Sequence, residues 1–351
     1  SVQKLLKQMM KLRKKPNKLI VSFIAALVLG LALLLLYTDK MSSWFYTPAQ
    51  INQLRGIYEP SAAAQLGSGQ VLVLEDEISR ALNILTIGAD GSLFEDAIRD
   101  QQLNAQLKQK IDDLEGVTAG RSGVIYATTS FTRTNKGKRR PNREKLLKLV
   151  FDEEGELQQT GVFTELADVL KQSEVFKKLR DTYGKQVRWK DVNIEGLSFD
   201  GGKQQLLFGF RKPLVNDLSL ILRLENPQGV FDNNELPTFS HAPILLDLHG
   251  GGIRSLAYIE KLKGYLIANE VNYGGGPKQS QLWFWGGGKQ QAISLILPEV
   301  IRMENIEAIA AVEFAGNSKI LLMSDDGSRR NKRPANYLLI DYDAILLQIG
   351  S

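Results

Sequence analysis

Asn193-Ile194-Glu195-Gly196-Leu197-Ser198-Phe199-Asp200, followed by Gly201-Gly202 and then Leu206-Leu207-Phe208-Gly209-Phe210-Arg211, is the stretch that decides the fold. It reads as a short strand, a glycine turn, and a buried strand with a polar end. The same phrase occurs four more times. Tyr58-Glu59-Pro60-Ser61-Ala62 leads into Val71–Asp76, and Leu114-Glu115-Gly116-Val117-Thr118 into Val124–Thr129. Ile253-Arg254-Ser255-Leu256-Ala257-Tyr258 leads into Tyr265–Glu270, and Ile306-Glu307-Ala308-Ile309-Ala310 into Ile320–Asp326. The charged positions are 59, 115, 195, 254 and 307, at intervals of 56, 80, 59 and 53 residues. A repeat of this size, made of strands joined by a glycine turn, marks a β-propeller blade. The expectation is an all-β, five-bladed propeller, or a six-bladed one if the long interval hides a further blade.

That long interval carries a helical insertion near 163–184. Leu166, Val169, Leu170, Val175, Phe176 and Leu179 recur at steps of three and four, and Gly184 ends the pattern. The segment Phe94 to Ile111 reads as helical or irregular. Ile345-Leu346-Leu347-Gln348-Ile349 reads as a last strand that closes the ring against Ile51–Ile57, since an open sheet would leave unpaired edges.

The formal net charge is +5, but residues 1–18 hold seven Lys or Arg and no acid, so the rest of the chain is near −2. The basic balance is therefore a local tail, and nucleic acid is not an expected partner. Leu19 to Tyr37 is an uncharged apolar run, long enough as a helix to cross a hydrocarbon core of about 30 Å. It is longer than the apolar core of a cleaved signal peptide, and no small-residue cleavage site follows it. The boundaries expected are a basic cytoplasmic tail 1–18, a transmembrane helix 19–38, a linker 39–54 and a propeller domain 55–351. Positive charge stays inside, so the domain is expected on the periplasmic or thylakoid-lumenal side of a bacterial inner or thylakoid membrane. Trp44, Phe45 and Tyr46 suit the membrane interface.

The chain has no cysteine and only two histidines, His241 and His249, which excludes thiolate chemistry and multi-histidine metal sites. Gly250–Gly252, Gly274–Gly276 and Gly286–Gly288 lack the context of a phosphate loop, and no Gly-x-Ser-x-Gly elbow is present. Trp283 and Trp285 read as packing residues.

A residue repeated at the same point of every blade lies on a ring about the axis. Glu59, Glu115, Glu195, Arg254 and Glu307 are thus the candidate tunnel-mouth ring, with Arg211 beside it. Four carboxylates on one ring repel, so a divalent cation, Arg254, backbone amides or raised pKa values must compensate. Calcium suits several oxygen ligands. In the bland alternative, each Glu accepts backbone N–H bonds from the next blade.

The segments Ile194-Glu195-Gly196-Leu197 through Phe208-Gly209-Phe210-Arg211-Lys212-Pro213-Leu214, and Gly252-Ile253-Arg254-Ser255-Leu256-Ala257, resemble a bacterial domain-of-unknown-function family among the phytase-like or esterase-like propellers. The resemblance covers most of 55–345. It implies a propeller and no agreed reaction. Because phytase-like relatives bind calcium through tunnel-mouth acids, it implies Glu59, Glu115, Glu195 and Glu307 as calcium positions. The N-terminal anchor and Arg254 in place of an acid depart from that pattern.

Together these readings describe a membrane-anchored binding or assembly module. Its partners are the bilayer, through residues 19–37, and a membrane or periplasmic protein. The alternative is a calcium-dependent phytase-like or esterase-like ester hydrolase.

Overall fold

The second strand of each repeat is apolar on both faces, and that composition sets the architecture: a sheet packs on either side of it. In the computed structural model, which describes residues 49–76 and 80–350, β1 (Asn52–Gln53) comes first and belongs to the last sheet. The first sheet is β2 (Pro60–Gly67), β3 (Gln70–Glu75), β4 (Leu82–Ile87) and β5 (Leu93–Glu95). The second is β6 (Leu114–Ala119), β7 (Val124–Thr129), β8 (Leu146–Phe151) and β9 (Leu157–Phe163). The third is β10 (Asn193–Asp200), β11 (Gln205–Lys212), β12 (Ser219–Leu224) and β13 (Ile244–Leu246). The fourth is β14 (Ile253–Ile259), β15 (Gly264–Val271), β16 (Gln279–Trp285) and β17 (Ile293–Leu295). The last runs β18 (Ile306–Phe314), β19 (Asn317–Ser324), β20 (Asn336–Ile340), and then β1. All pairings are antiparallel, and the described residues form five four-stranded sheets in a propeller-like, all-β fold.

The first strands of the sheets, β2, β6, β10, β14 and β18, neighbour one another in a closed series. Side chains join them from sheet to sheet. Ser61 Oγ donates to Leu114 O (2.6 Å), Phe199 N to Thr118 Oγ1 (3.0 Å), Tyr258 N to Ser198 Oγ (2.9 Å), and Glu313 N to Gln65 Oε1 (2.9 Å). The apolar cores fill the spaces between sheets. Ala63, Val71 and Val73 of the first sheet, for example, pack with Ala308, Leu321 and Met323 of the last.

The insertion forms two helices, α2 (Leu166–Gln172) and α3 (Glu174–Tyr183), after an earlier α1 (Ala97–Ala105). Ser173 separates them and caps the second, its Oγ accepting from Phe176 N at 3.3 Å. Gly184, at φ +57°, terminates it in a backbone conformation that other residues rarely adopt. Leu166, Leu170, Val175, Phe176 and Leu179 are buried in the core that contains Phe131 and Ile194.

The expected closing strand at 345–349 is instead a helix. β20 already has β1 on its outer edge, with Asn52 opposite Tyr337 and Gln53 opposite Asn336, so the closing place is taken by the N-terminal segment. After two short helices, α4 (Pro227–Asp232) and α5 (Pro298–Arg302), residues Tyr342–Ile349 coil into α6 and turn Tyr342 and Ile345 inward. Closure from the N-terminal side holds, although the domain's first strand starts at Asn52, ahead of the boundary expected at 55. Leu54 N and Ala335 N extend the seam to Ala335 O and Ile57 O, at 2.8 and 3.2 Å. The tail 1–18, the span 19–38, the interfacial aromatics and most of the linker lie outside the described residues. Among the described residues no helix is long and apolar enough to cross a membrane.

Candidate functional site: a charged mouth built on five bulges

Each inner strand begins with the same irregularity. Strand pairing skips one residue between Pro60 and Ala62, Leu114 and Gly116, Ile194 and Gly196, Ile253 and Ser255, and Ile306 and Ala308. The skipped residues are Ser61, Glu115, Glu195, Arg254 and Glu307. A bulge residue has no partner across the ladder and can be aimed out of the sheet. This explains the three-residue phrase. The apolar residue (Leu114, Ile194, Ile253, Ile306) enters the core. The small residue after the bulge lies where the next inner strand approaches. A Cβ on Gly116 would stand 2.8 Å from Leu197 Cβ, and one on Gly196 2.9 Å from Leu256 Cβ.

The structure places Ser61 in the ring where the sequence pattern suggests Glu59. A slip of two residues keeps the same side of the strand, so alternation could not detect it. Glu59 is nevertheless near enough that its charge acts on Asp325.

Opposite the bulges, Asp76, Ser130, Glu270 and Asp325 directly follow the partners of Pro60, Leu114, Ile253 and Ile306, and Arg211 is bypassed between the partners of Ile194 and Asn193. All but Ser130 add a second set of charges to the same mouth. Arg211 Nη1 stands 2.7 Å from Glu195 Oε1, which also accepts from Asn193 Nδ2 at 2.8 Å. Arg254 Nη2 is 2.8 Å from Glu270 Oε2, while its Nη1 pairs with Glu307 of the next sheet and lies 3.7 Å from Glu195 Oε2 of the preceding one. Arg254, Glu195 and Glu307 are 6%, 3% and 7% exposed, so these charges depend on one another rather than on water. Glu195 Oε2 has no hydrogen-bond donor. Among the described residues no backbone N–H of a neighbouring sheet donates to the carboxylate of Glu115, Glu195 or Glu307. Ser61, Thr118, Ser198 and Gln65 do that work instead.

The crowding of acids shows in their protonation. Burial, and then the charges of Glu195 and Glu307, hold Glu115 well above the usual carboxylate range. Glu115 keeps some contact with solvent inside the mouth, where too little water surrounds it to restore an ordinary value. Burial and Glu195 likewise raise Glu307, against the lowering effect of Arg254. Burial and Glu59 push Asp325 up to about 7. Asp76 is also pushed to about 7, by burial and by Asp113, though its exposed flank lets water screen part of the effect. The charges that act on Glu115 of the second sheet come from Glu195 of the third, Glu307 of the fifth, Asp113 beside it and Asp76 at the end of the first.

Two further residues have no motif in the sequence. Asp113 accepts from Thr132 Oγ1 (2.8 Å) and Arg143 Nη1 (2.6 Å), and Arg143 Nε also reaches Asp112 Oδ2 (2.8 Å). The only available signal was the acidic pair directly before Leu114. Arg143 was hidden in a basic loop.

Among the described residues no group of three or more His, Asp or Glu side chains has the arrangement of a metal site. His249 is exposed, with φ +54°, and its ring stands edge-on to Trp283 at 4.9 Å. Trp283 and Trp285 are buried, and Trp283 Nε1 donates to Asn269 Oδ1 at 2.9 Å.

Residues 95–264 match a family described as "Protein of unknown function (DUF3616)". The DUF3616 match spans just under half of the chain. It includes Glu115, Glu195, Arg211 and Arg254 of the mouth, and stops short of Glu59 and Glu307. Comparison with curated proteins returns no match. Among solved structures, a putative oxidoreductase (glucose dehydrogenase) from Thermus thermophilus is 12% identical, covering 83% of this chain and 100% of its own, with a TM-score of 0.41. A β-1,3-galactosidase of glycoside hydrolase family 43 is 12% identical over 82% of this chain and 94% of its own, at 0.46. An α-L-arabinofuranosidase from Podospora anserina is 10% identical over 85% and 95%, at 0.43. At this distance no substrate or activity passes from these proteins to this chain.

Proposed function

We propose that this chain is a five-bladed β-propeller, tethered to a membrane by residues 19–37, whose charged mouth docks an extracytoplasmic protein partner. The apolar run supports the tether, and the seven cations before it support a cytoplasmic N-terminus. The observation that carries the docking reading is the closure of the mouth charges on themselves. Arg254 bridges three sheets and Arg211 holds Glu195, which makes a fixed electrostatic surface rather than an open ligand set. The loops that follow the second strands start at this end. Two of them, at 130–145 and 325–335, are long and rich in Lys and Arg, as a recognition surface on a rigid scaffold would be.

Calcium held by Glu59, Glu115, Glu195 and Glu307 does not fit this arrangement. Ser61 takes the place of Glu59 in the ring, and one oxygen each of Glu195 and Glu307 already faces an arginine. Arg254 supplies the positive charge that a metal ion would.

The test is cross-linked pull-down with the full-length protein from the source membrane. Capture of one specific partner, lost in Arg211→Glu and retained in Lys203→Glu at the opposite end of the third sheet, supports the proposal. Turnover of generic phosphate or acyl esters that Glu195→Gln abolishes would overturn it.

A further inference from the structure

Beside the mouth lies a cavity of about 820 Å³, bounded by the loops at 132–133, 186–193, 211–214, 249–252 and 270–278. Its lining carries six cations: Arg133, Arg188, Lys190, Arg211, Lys212 and Lys278. Two acids, Asp191 and Glu270, face it, and both are taken. Asp191 Oδ2 lies 2.5 Å from Arg188 Nε, and Glu270 is paired with Arg254. Arg211 is held by Glu195. Among the described residues, Arg133, Lys190, Lys212 and Lys278 have no acidic partner. Arg133 spends Nη1 on Gly137 O at 3.2 Å, while its Nε is buried without any acceptor. A buried donor left unmet is costly.

From this we infer a second site: the cavity binds a small polyanion carrying two or more phosphate or carboxylate groups. Four uncompensated cations from different loops converge on it, which one singly charged ion would not neutralise. The volume is that of a small-molecule site rather than of a broad macromolecular face. Guanidinium and ammonium donors both suit phosphate and carboxylate oxygens. The inference rests on the cavity alone and does not require the docking partner. Arg211 lines both sites, so an anion that draws on its free donors would touch the mouth through Glu195.

The experiment is isothermal titration calorimetry of the full chain in detergent, with pyrophosphate and with citrate as separate probes, at low and at physiological salt. Saturable one-site binding of either is expected, with pyrophosphate alone marking a phosphate site and citrate alone a carboxylate site. Raising the salt should weaken it, and Lys212→Glu with Lys278→Glu should weaken it by at least about tenfold. Both lysines are exposed, so the melting curve should be unchanged. Lys190→Glu provides a second variant on a different loop. No binding of either probe at low salt, or binding that all three substitutions leave untouched, would overturn the inference.

Discussion

Arg254 Nη2 stands 2.8 Å from Glu270 Oε2 across the first hairpin of the fourth sheet, and the same guanidinium reaches Glu307 of the fifth. Arg254, the one cation among the five inner-strand bulge residues described, is thus the counter-ion of its acidic neighbours. Two consequences follow for a melting experiment. Calcium and a chelator should leave the melting temperature of the wild-type protein alike. Arg254→Met should melt lower, because it strands buried carboxylates at a cost of about 3–5 kcal/mol, and lowering the pH should recover part of the loss. A wild-type shift of several degrees with calcium would show that a metal, not Arg254, balances the mouth.

The raised carboxyls give stability a definite pH dependence. Asp325, Glu115 and Glu307 bind protons more tightly when folded than unfolded. Their contribution is fully present below the unfolded value, about 4, and is lost as the pH rises from there through the folded value. With Asp325 at about 7, the domain should melt higher at pH near 5 than at pH near 8. Asp325→Asn should raise the melting temperature at pH near 8 and flatten the profile. A profile rising from acid to alkaline would contradict the assignment.

Glu75 fastens the seam of the ring. Fully buried, it accepts from Tyr58 N at 2.9 Å and Asn83 Nδ2 at 3.3 Å, and Arg329 of the last sheet lies 3.3 Å from it. Glu75→Ala should destabilise by about 3–5 kcal/mol in urea unfolding, as a broken buried charge network does, and Glu75→Gln by less. Equal loss in both would mean that the charge is irrelevant.

Gly196 marks a close approach of two sheets, since a Cβ there would meet Ile253 Cγ2 and Leu256 Cβ, each at 2.9 Å. Gly196→Ala should cost about 1–3 kcal/mol through overpacking, measured by the same unfolding curves. Gly250→Ala, where the added Cβ meets nothing within 4 Å, should be milder despite its φ of +72°.

The paired inner strands of five units were legible because apolar–charged–small is a packing requirement that recurs with each of them. The pattern that puts a charge at the bulge was legible for Glu115, Glu195, Arg254 and Glu307, where the apolar residue before the bulge is Leu or Ile. It misled at Glu59, where Pro60 and Ser61 fill those roles without resembling them. The run at Ile345–Ile349 looked like a strand because short apolar runs fit either period, and only the occupancy of the β20 edge by β1 decides between them. The cationic cavity was invisible because its lysines and arginines come from separate loops.

The most direct test is a double-mutant cycle on Arg254 and Glu307, read by urea unfolding of the wild type, Arg254→Met, Glu307→Gln and the double variant. Residues meeting at one mouth from two sheets should show a coupling of about 0.5–3 kcal/mol, with the double variant more stable than Arg254→Met alone. Effects that add to within about 0.5 kcal/mol would contradict a shared, self-neutralised mouth.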